Sequence, residues 1–259
     1  MSAVDIFGDC GTSSSGPRGP AGKDGFDIVK WLPKFILNQF RKSEEWCCFL
    51  INDPDKDLVK SDGNYIKWIS RSEGKKRNAE GIKPSNSIKL IKSRHWCLNF
   101  NKSLYSIKDT TVSSSDCVFA CVTFRVDGEV EQFIFSDHNG DTISRGVSAT
   151  KTDIIIYGVD NENNYISIPH QTSSWTTVLV EWLPHKRLGM YTIDNKSGTF
   201  TSNIPPMFID DNLYLGAIKD GSKPLLGSIY AFEMYVSLNK QAPTSIKDLV
   251  VQEQMNISL

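Results

Sequence analysis

Alternation of apolar and polar residues marks the chain from Trp96 onward. Short runs of β-branched and aromatic residues recur there, separated by turns such as Asp127-Gly128, Asn139-Gly140, Lys196-Ser197-Gly198 and Asp220-Gly221. The runs are CVFACVTF, EQFIFSD, DIIIYGV, NYISIP, WTTVLVEW, LGMYTID, DNLYLGA and LLGSIYAFEMYV. This spacing predicts a mainly β fold, an antiparallel sandwich of the jelly-roll type.

One run shows the alternation with particular clarity. Between Thr177 and Trp182, the apolar side chains of Val178, Val180 and Trp182 fall on one face. Thr177, Leu179 and Glu181 fall on the other face. The pattern predicts a half-buried strand with its second face in solvent.

A helix is predicted directly before the mixed region of the chain. In IVKWLPKFILNQF the apolar residues recur at helical spacing, and Pro33 suits a first helical turn. This short amphipathic helix is either a neck that packs against copies of itself or a helix lying on the following domain. A second helix is predicted near the end of the chain, in PTSIKDLVVQEQ.

Glycine occupies every third position in GPRGPAGKDGFD, at Gly16, Gly19, Gly22 and Gly25. A collagen triple helix demands this period, because three polyproline strands share an axis too crowded for any Cβ. The alternative is a flexible linker rich in Gly, Pro and Ser. A collagen-like stalk makes the chain a homotrimer, yet four triplets span only about 37 Å at ~3.1 Å per residue. We therefore also assign Trp31 and Phe35 of the predicted helix to trimerisation.

These patterns divide the chain into four parts. Residues 1–15 form an N-terminal tail, and residues 16–27 the collagen-like stalk. Residues 28–95 form a helical neck and connecting region, and residues 96–259 the β-sandwich head. The length and the 39% content of hydrophobic residues suffice for a sizeable core.

The net charge of the chain does not indicate a particular class of binding partner. The formal charge of −1 lacks the basic excess of a nucleic-acid coat, so a nucleic-acid partner is not expected. Lysines and arginines do predominate between Arg71 and Arg94, where the acids are Glu73 and Glu80. That region is either a basic loop facing phosphate or sulfated sugar, or an ordinary solvated connection.

The first residues of the chain and its cysteines indicate the cellular compartment in which the protein is expected. MSAVDIFGDCGTSSSG lacks the cationic start and apolar run of a signal peptide, and no apolar stretch has membrane-spanning length. We expect no secretion and no membrane insertion. The six cysteines lack the spacing of a metal site, so we expect reduced thiols.

The order of runs from residue 96 to residue 252 resembles the concanavalin A-like, laminin G-like jelly roll. The resemblance rests on WTTVLVEW, MYTIDN, DNLYLGA and a G-x-I-x-x-x-E-x-Y pattern, here Gly227, Ile229, Glu233 and Tyr235. These motifs encode strand geometry, so they imply a fold rather than a chemistry.

The whole arrangement, in which GPRGPAGKDGFD is followed by WLP, CCFLI, WISRS and the sandwich, also resembles fibre-like proteins of Maverick/Polinton-type virus-like elements. That resemblance implies a homotrimeric attachment protein whose head binds a host-surface glycan or protein receptor. It further implies docking to a capsid protein through residues 1–10, and a place on the virion or particle surface. The alternatives are an extracellular collagen-like matrix protein or innate-recognition lectin, and a carbohydrate-active enzyme.

Catalytic and metal-binding signals are weak. Glu129 and Glu131 are the nearest pair of carboxylates for glycoside hydrolysis, but the third acid of the glucanase-like pattern is missing. Asp137, Asn139 and Asp141 begin like a calcium loop that lacks its turn glycine and its final glutamate. We therefore predict no enzyme activity, no metal and no cofactor.

Ligand recognition is assigned to the loops of the head. Sugar binding needs an aromatic platform beside amides and acids, and VDNENNYISIPHQTSSW supplies such residues. The predicted ligand-binding residues are Asn161, Asn163, Tyr165, His170 and Trp175. Asn-rich loops also serve as ordinary turns, so the region is a firmer prediction than any one residue.

Overall fold

The structure is a computed structural model that describes residues 28–43, 45–62, 64–72, 77–82, 88–92, 95–108, 116–139, 141–202, 212–238 and 240–258. The tail and stalk predicted for residues 1–27 lie outside these ranges. The helices are α1 (Ile28–Phe40), α2 (Pro54–Asp57) and α3 (Thr244–Ser258). The strands are β1 (Trp46–Leu50), β2 (Leu58–Ser61), β3 (Asn64–Trp68), β4 (Ala79–Gly81), β5 (Lys89–Lys92), β6 (Trp96–Asn101), β7 (Tyr105–Ile107), β8 (Asp116–Val126), β9 (Gln132–Asn139), β10 (Thr142–Ala149), β11 (Asp153–Tyr157), β12 (Tyr165–Pro169), β13 (Thr176–Leu183), β14 (Leu188–Ile193), β15 (Lys196–Thr201), β16 (Leu213–Leu215) and β17 (Leu226–Leu238).

Two antiparallel sheets form the sandwich. The 8-stranded sheet A has the order β15-β14-β13-β8-β17-β6-β5, and β1 pairs with the rest of β17. The 9-stranded sheet B has the order β12-β11-β10-β9-β16-β7-β4-β3-β2. Strand β17 pairs with β6 along Leu226–Ile229 and with β1 along Ala231–Tyr235. The predicted mainly β antiparallel sandwich is confirmed.

The sandwich begins well before residue 96. Strand β1 pairs with β17, β2 to β4 extend sheet B, and β5 forms one edge of sheet A. Trp46, Phe49 and Trp68 of this segment are fully buried. Its strands span only three to five residues and carry several lysines, so they lack the long alternating pattern that revealed the later strands. Strands β1 to β5 of this segment therefore belong to the two sheets.

The main core lies between the two sheets. Phe135 of sheet B meets Trp182 of sheet A edge to face, with ring centroids 6.3 Å apart. The Trp182 indole Nε1 donates a hydrogen bond to the carbonyl oxygen of Tyr157 at 2.9 Å. Burying each aromatic side chain stabilises the fold by roughly 1.5–3 kcal/mol. This contact ties the β11 end of sheet B to sheet A.

A second core covers the outer face of sheet A. Helices α1 and α3 pack there, and every residue of β13 is buried. Val178, Val180 and Trp182 face the main core, whereas Leu179 faces the helices. The prediction of a half-buried strand was wrong, because α3 covers the face that the alternation assigned to solvent.

Helix α1 confirms the predicted amphipathic helix. Leu37 is buried in the second core and Phe40 packs partly against it. Phe35 and Ile36 remain exposed, at 42% and 38%. The second half of α1 thus lies on the domain, as one of the two interpretations proposed. Trp31 lies on α1, but its side chain is outside the described part, and trimerisation through Trp31 and Phe35 stays a prediction.

From Trp96 onward, the sequence patterns missed four strands, namely β6, β7, β10 and β15. Strand β10 was not predicted because its sequence is largely polar. Lys196-Ser197-Gly198, which was predicted as a turn, belongs to strand β15. The turn lies one step earlier, at Asp194-Asn195, where Asp194 has a φ of 49°. A Cβ at Gly198 would lie 2.3 Å from the hydroxyl oxygen of Tyr191, so a larger residue there would require the Tyr191 ring to move.

The described cysteines are free thiols. Cys47, Cys48, Cys97, Cys117 and Cys121 are buried and form no disulfide among the described residues. Burial raises the pKa of Cys47 to about 12 and the pKa values of Cys48 and Cys121 well above their ordinary range. Cys47, Cys48 and Cys121 therefore pack as small hydrophobic groups and are poor nucleophiles.

Candidate functional site

The predicted ligand residues form two groups at opposite ends of β12. Asn161, Asn163 and Tyr165 lie at its start, whereas His170 and Trp175 follow its end. The strand spans about 13 Å between its first and last residues. The structure therefore brings Asn161, Asn163 and Tyr165 together. It places His170 and Trp175 at the other end of the strand, away from these three residues.

Two of the three asparagines in the turn before β12 have structural roles. The Asn161 side-chain amide donates to the carbonyl oxygen of Tyr165 at 2.8 Å. Its Oδ1 accepts from the backbone N–H of Asn163 at 3.1 Å. Asn164 has a φ of 60° and donates to the carbonyl oxygen of Ile143, which fixes the turn against β10. Asn161 thus shapes the loop, while Asn163 is exposed beside it.

An aromatic ladder, formed by Phe133, Tyr157 and Tyr165, crosses the outer face of sheet B. The ring centroids of Phe133 and Tyr157 are 5.2 Å apart, and those of Tyr157 and Tyr165 are 5.5 Å apart. Phe133 and Tyr157 are buried, but Tyr165 is 37% exposed at the sheet edge. The two inner rings therefore support Tyr165 as a rigid exposed aromatic surface.

Glu131 fixes Tyr157, the middle ring of the ladder. Its carboxylate accepts hydrogen bonds from the Tyr157 hydroxyl at 2.6 Å, the Ser148 hydroxyl at 2.7 Å and the Lys223 ammonium at 2.5 Å. Burial alone would raise the pKa of Glu131, but these hydrogen bonds outweigh it and hold the pKa below its ordinary value. The group is ionised at neutral pH and rigidly placed.

The same contacts argue against acid catalysis here. Glu129 and Glu131 lie in the loop between β8 and β9, and the Glu129 side chain is 78% exposed and paired with Lys151. A general acid needs a raised pKa, whereas that of Glu131 is lowered. Burial and the neighbouring Glu131 raise the pKa of Tyr157, so its hydroxyl is no activated nucleophile.

His170 and Trp175 lie in the loop that crosses from sheet B to sheet A. The Trp175 ring meets Tyr230 edge to face at 6.4 Å, and the Arg125 guanidinium lies 5.8 Å from its centroid. His170 Nε2 lies 3.2 Å from Asp194 Oδ2 and 3.4 Å from the Thr176 hydroxyl. A catalytic triad needs its acid and its nucleophile on opposite ring nitrogens, so this contact pattern does not form one.

The calcium-like sequence holds an ion pair instead. Asp137 Oδ1 accepts a hydrogen bond from the Arg145 backbone N–H at 2.7 Å, and its Oδ2 lies 3.8 Å from the Arg145 guanidinium. Both side chains are buried. Across the described ranges, no group of three or more His, Cys, Asp or Glu residues is arranged to hold a metal ion.

A polar groove of 600 Å³ lies between α1 and β1, at the edge of the basic region. Lys34, Arg41, Lys42 and Arg71 line it. Arg41 is already bound by Glu233 and Glu253, and Arg71 lies 3.5 Å from Asp57. Because these carboxylates neutralise much of the positive charge, the groove is a weaker anion site than its lining residues alone indicate.

The ladder was only partly visible in the sequence. Tyr165 was selected, but Glu131 was considered only as a catalytic acid, and Phe133 and Tyr157 were assigned to strands. Phe133 pairs in register with Ser148, and Tyr157 with both Gly146 and Tyr165. Sequence periodicity identifies the faces of each strand, but these cross-strand registers bring the side chains together.

Comparison with known proteins identifies the fold alone. No family profile and no curated protein matches the sequence. A solved receptor-binding domain is similar with a TM-score of 0.57 and 10% identity, over 84% of this chain and 52% of that chain. The binding domain of botulinum neurotoxin DC, solved with rat synaptotagmin II, has a TM-score of 0.52 and 11% identity, over 76% and 50%.

An enzyme is also among the similar structures. Trypanosoma rangeli sialidase, solved with 2,3-difluorosialic acid, has a TM-score of 0.53 and 10% identity, over 88% of this chain and 39% of the sialidase. The chain thus spans about half the length of the first two structures and less of the third. None of the described helices is long and apolar enough to cross a lipid bilayer.

Proposed function

We propose that this protein is a receptor-binding attachment protein whose β-sandwich head binds a surface glycan at the edge of sheet B. The exposed Tyr165 ring at the end of the aromatic ladder carries the proposal. A sugar ring stacks on it through its C–H face, and the exposed amide of Asn163, two residues earlier in the chain, is available for hydrogen bonding to hydroxyl groups.

Neighbouring polar groups extend this surface. Ser167 shares the outer face of β12 with Tyr165, and its hydroxyl lies 3.3 Å from Asp153 Oδ1. Asp153 supplies carboxylate acceptors further along this face of the sheet, opposite Pro169, and Asn163 supplies an exposed amide in the turn before β12. The buried Phe133 and Tyr157 keep Tyr165 in place, which reduces the entropy lost on binding.

The similar solved structures support a binding role at the level of the fold. Two of them are named as a receptor-binding domain and as a neurotoxin binding domain in complex with synaptotagmin. The proposal includes no catalytic step, because the lowered pKa of Glu131 and the raised pKa of Tyr157 suit a rigid support rather than acid or nucleophilic chemistry.

The remaining features are part of the same proposal. The head is a jelly roll of the concanavalin A or laminin G type, joined through α1 to a collagen-like stalk of residues 16–27. Three chains associate, residues 1–10 dock to a capsid protein, and the fibre stands on a particle surface. His170 and Trp175 lie in the loop between β12 and β13, in a separate part of the head. They contribute to ligand binding from that loop.

A glycan array with the full chain tests this function. Tyr165→Ala should abolish binding to the glycans that the wild type selects, whereas Tyr165→Phe, which keeps the ring, should retain most of it. Ile91→Ala, a change at a residue of 38% exposure on sheet A, is the matched control and should bind as the wild type does. Unchanged binding by Tyr165→Ala would refute the assignment of this edge, and release of sugar products would revive the enzyme alternative.

A further inference from the structure

A groove of 770 Å³ lies on the opposite side of the sandwich, between α3 and the outer face of the β13–β15 strands. Helix α3 packs on β8 and β13, which leaves the outer face of β14 and β15 as the floor of the groove. Leu179, Met190, Val251 and Met255 give it an apolar lining. Methionine side chains adapt readily to a bound apolar group.

Glu181 is among the residues that line this groove, and its side chain is 1% exposed. Its Oε2 accepts hydrogen bonds from the Lys247 ammonium at 2.5 Å and from the Gln241 amide at 3.1 Å. Its Oε1 is buried and accepts no hydrogen bond from any residue that the structure describes. A buried carboxylate oxygen without a donor is costly, so a cationic side chain that enters beside Glu181 and displaces the groups covering Oε1 would satisfy this acceptor.

The charged residues around the groove favour a cation. Glu181, Asp194 and Asp248 line it together with Lys247, so three carboxylates face one ammonium group. Lys247 already binds Glu181. Asp194 accepts from the backbone N–H of Thr177 at 2.9 Å and also lies beside His170, which places its carboxylate at the rim.

We propose that this groove binds a lysine or arginine side chain of a partner protein, with its charged end at Glu181 Oε1 and neighbouring apolar side chains on Met190 and Met255. A peptide supplies both parts of this chemistry, a cation and adjoining apolar groups. A free polyamine or an amino sugar supplies the cation without the apolar neighbours. The site lies on sheet A, away from Tyr165 on sheet B, and does not rest on the proposed glycan function.

The peptide acetyl-Leu-Arg-Leu-amide, titrated into the isotope-labelled full chain and followed by NMR, tests the proposal. Backbone resonances of groove residues such as Thr192, Ser197 and Gln252 should shift on binding. The same peptide with citrulline, a neutral isostere of arginine, should bind at least about tenfold more weakly because it loses the charge-assisted hydrogen bond. Glu181→Gln should weaken binding of the arginine peptide by a similar factor.

A second variant guards against misfolding of Glu181→Gln, since that change leaves Lys247 without its carboxylate. Thr199→Lys places an ammonium group on the exposed floor of the groove and should compete with the peptide. Thr201→Lys lies on the same face of β15, outside the groove lining, and should bind as the wild type does. Both lysine variants should melt at the wild-type temperature.

Four outcomes would overturn the proposal. They are no shift at millimolar arginine peptide, equal binding of the citrulline peptide, binding unaffected by Thr199→Lys, and equally tight binding of spermidine at the same resonances. The last outcome would indicate a small-amine site. Loss of glycan binding in Tyr165→Ala with intact peptide binding would show that the two sites fail or succeed independently.

Discussion

Arg41 binds Glu233 through two hydrogen bonds, from Nε to Oε2 at 2.9 Å and from Nη2 to Oε1 at 2.5 Å. The Trp46 indole Nε1 donates to the same Oε2 at 3.0 Å. Arg41 also binds Glu253 of α3 at 2.5 Å. The glutamate of the G-x-I-x-x-x-E-x-Y pattern therefore anchors both helices to the outer face of sheet A.

Replacing this glutamate should destabilise the fold strongly. Glu233→Gln removes one of two carboxylates from a nearly buried guanidinium, and we expect a loss of about 3 kcal/mol in the free energy of unfolding. Urea denaturation measures it. Glu129→Gln is the matched control, because Glu129 forms an exposed ion pair with Lys151, and it should change stability by no more than about 0.5 kcal/mol. Equal effects of the two changes would contradict the anchoring role.

Asp137 should make stability depend on pH. Burial outweighs the attraction of Arg145 and the Arg145 backbone hydrogen bond, and raises the pKa of Asp137 to about 6. The unfolded pKa is about 3.9, so the folded state holds the proton more tightly. The stabilising contribution is therefore complete below about pH 4 and is lost as pH rises through about 6, by up to about 3 kcal/mol.

Comparison with Asp137→Asn isolates this contribution, because the other carboxylates titrate alike in both proteins. The free energy of unfolding of the wild type, minus that of the variant, should fall by about 2–3 kcal/mol between pH 4 and pH 7. Chemical denaturation at several pH values measures this difference. A difference that stays constant with pH would show that Asp137 keeps its ordinary pKa in the folded protein.

Gly227 should tolerate no side chain. A Cβ at this position would lie 2.1 Å from the carbonyl oxygen of Arg125 on the neighbouring strand β8. Gly227→Ala should lower the free energy of unfolding by at least about 2 kcal/mol. Gly81→Ala, where the nearest atom would be 3.5 Å away, should change it by less than about 1 kcal/mol. Thermal melting of both variants checks the contrast, and similar melting temperatures would refute it.

The glycine period of residues 16–27 should control attachment rather than ligand affinity. Replacing Gly19 and Gly22 with alanine introduces Cβ atoms at the shared axis of the predicted triple helix. Circular dichroism should show loss of the triple-helix signal while the head melts unchanged. Binding to an immobilised glycan surface should weaken by ~10²-fold, because three linked heads bind with avidity. A parallel loss of monovalent affinity would place the site at a junction between subunits.

Local sequence patterns account for the strands that were found. Each of the runs predicted from Trp96 onward coincides with a strand, and both predicted helices are present as α1 and α3. The strands that escaped notice are short or polar, such as β4 and β10, and their pairing partners rather than their own residues stabilise them. For the candidate site, the sequence predicted Tyr165. Phe133 and Tyr157 could be assigned to the same site only from the register between neighbouring strands.

The sequence by itself determined the periodicity of strands and helices and which residues share a face of each strand. These properties depend only on residues that are close together in the chain. Only the tertiary structure decided what lies against each face. The Thr177, Leu179 and Glu181 face of β13 reads as solvent-exposed, yet it is buried by a helix about 65 residues later. Arg41 and Glu233 are 192 residues apart. Such contacts follow from chain topology and sheet register, and no local pattern encodes them.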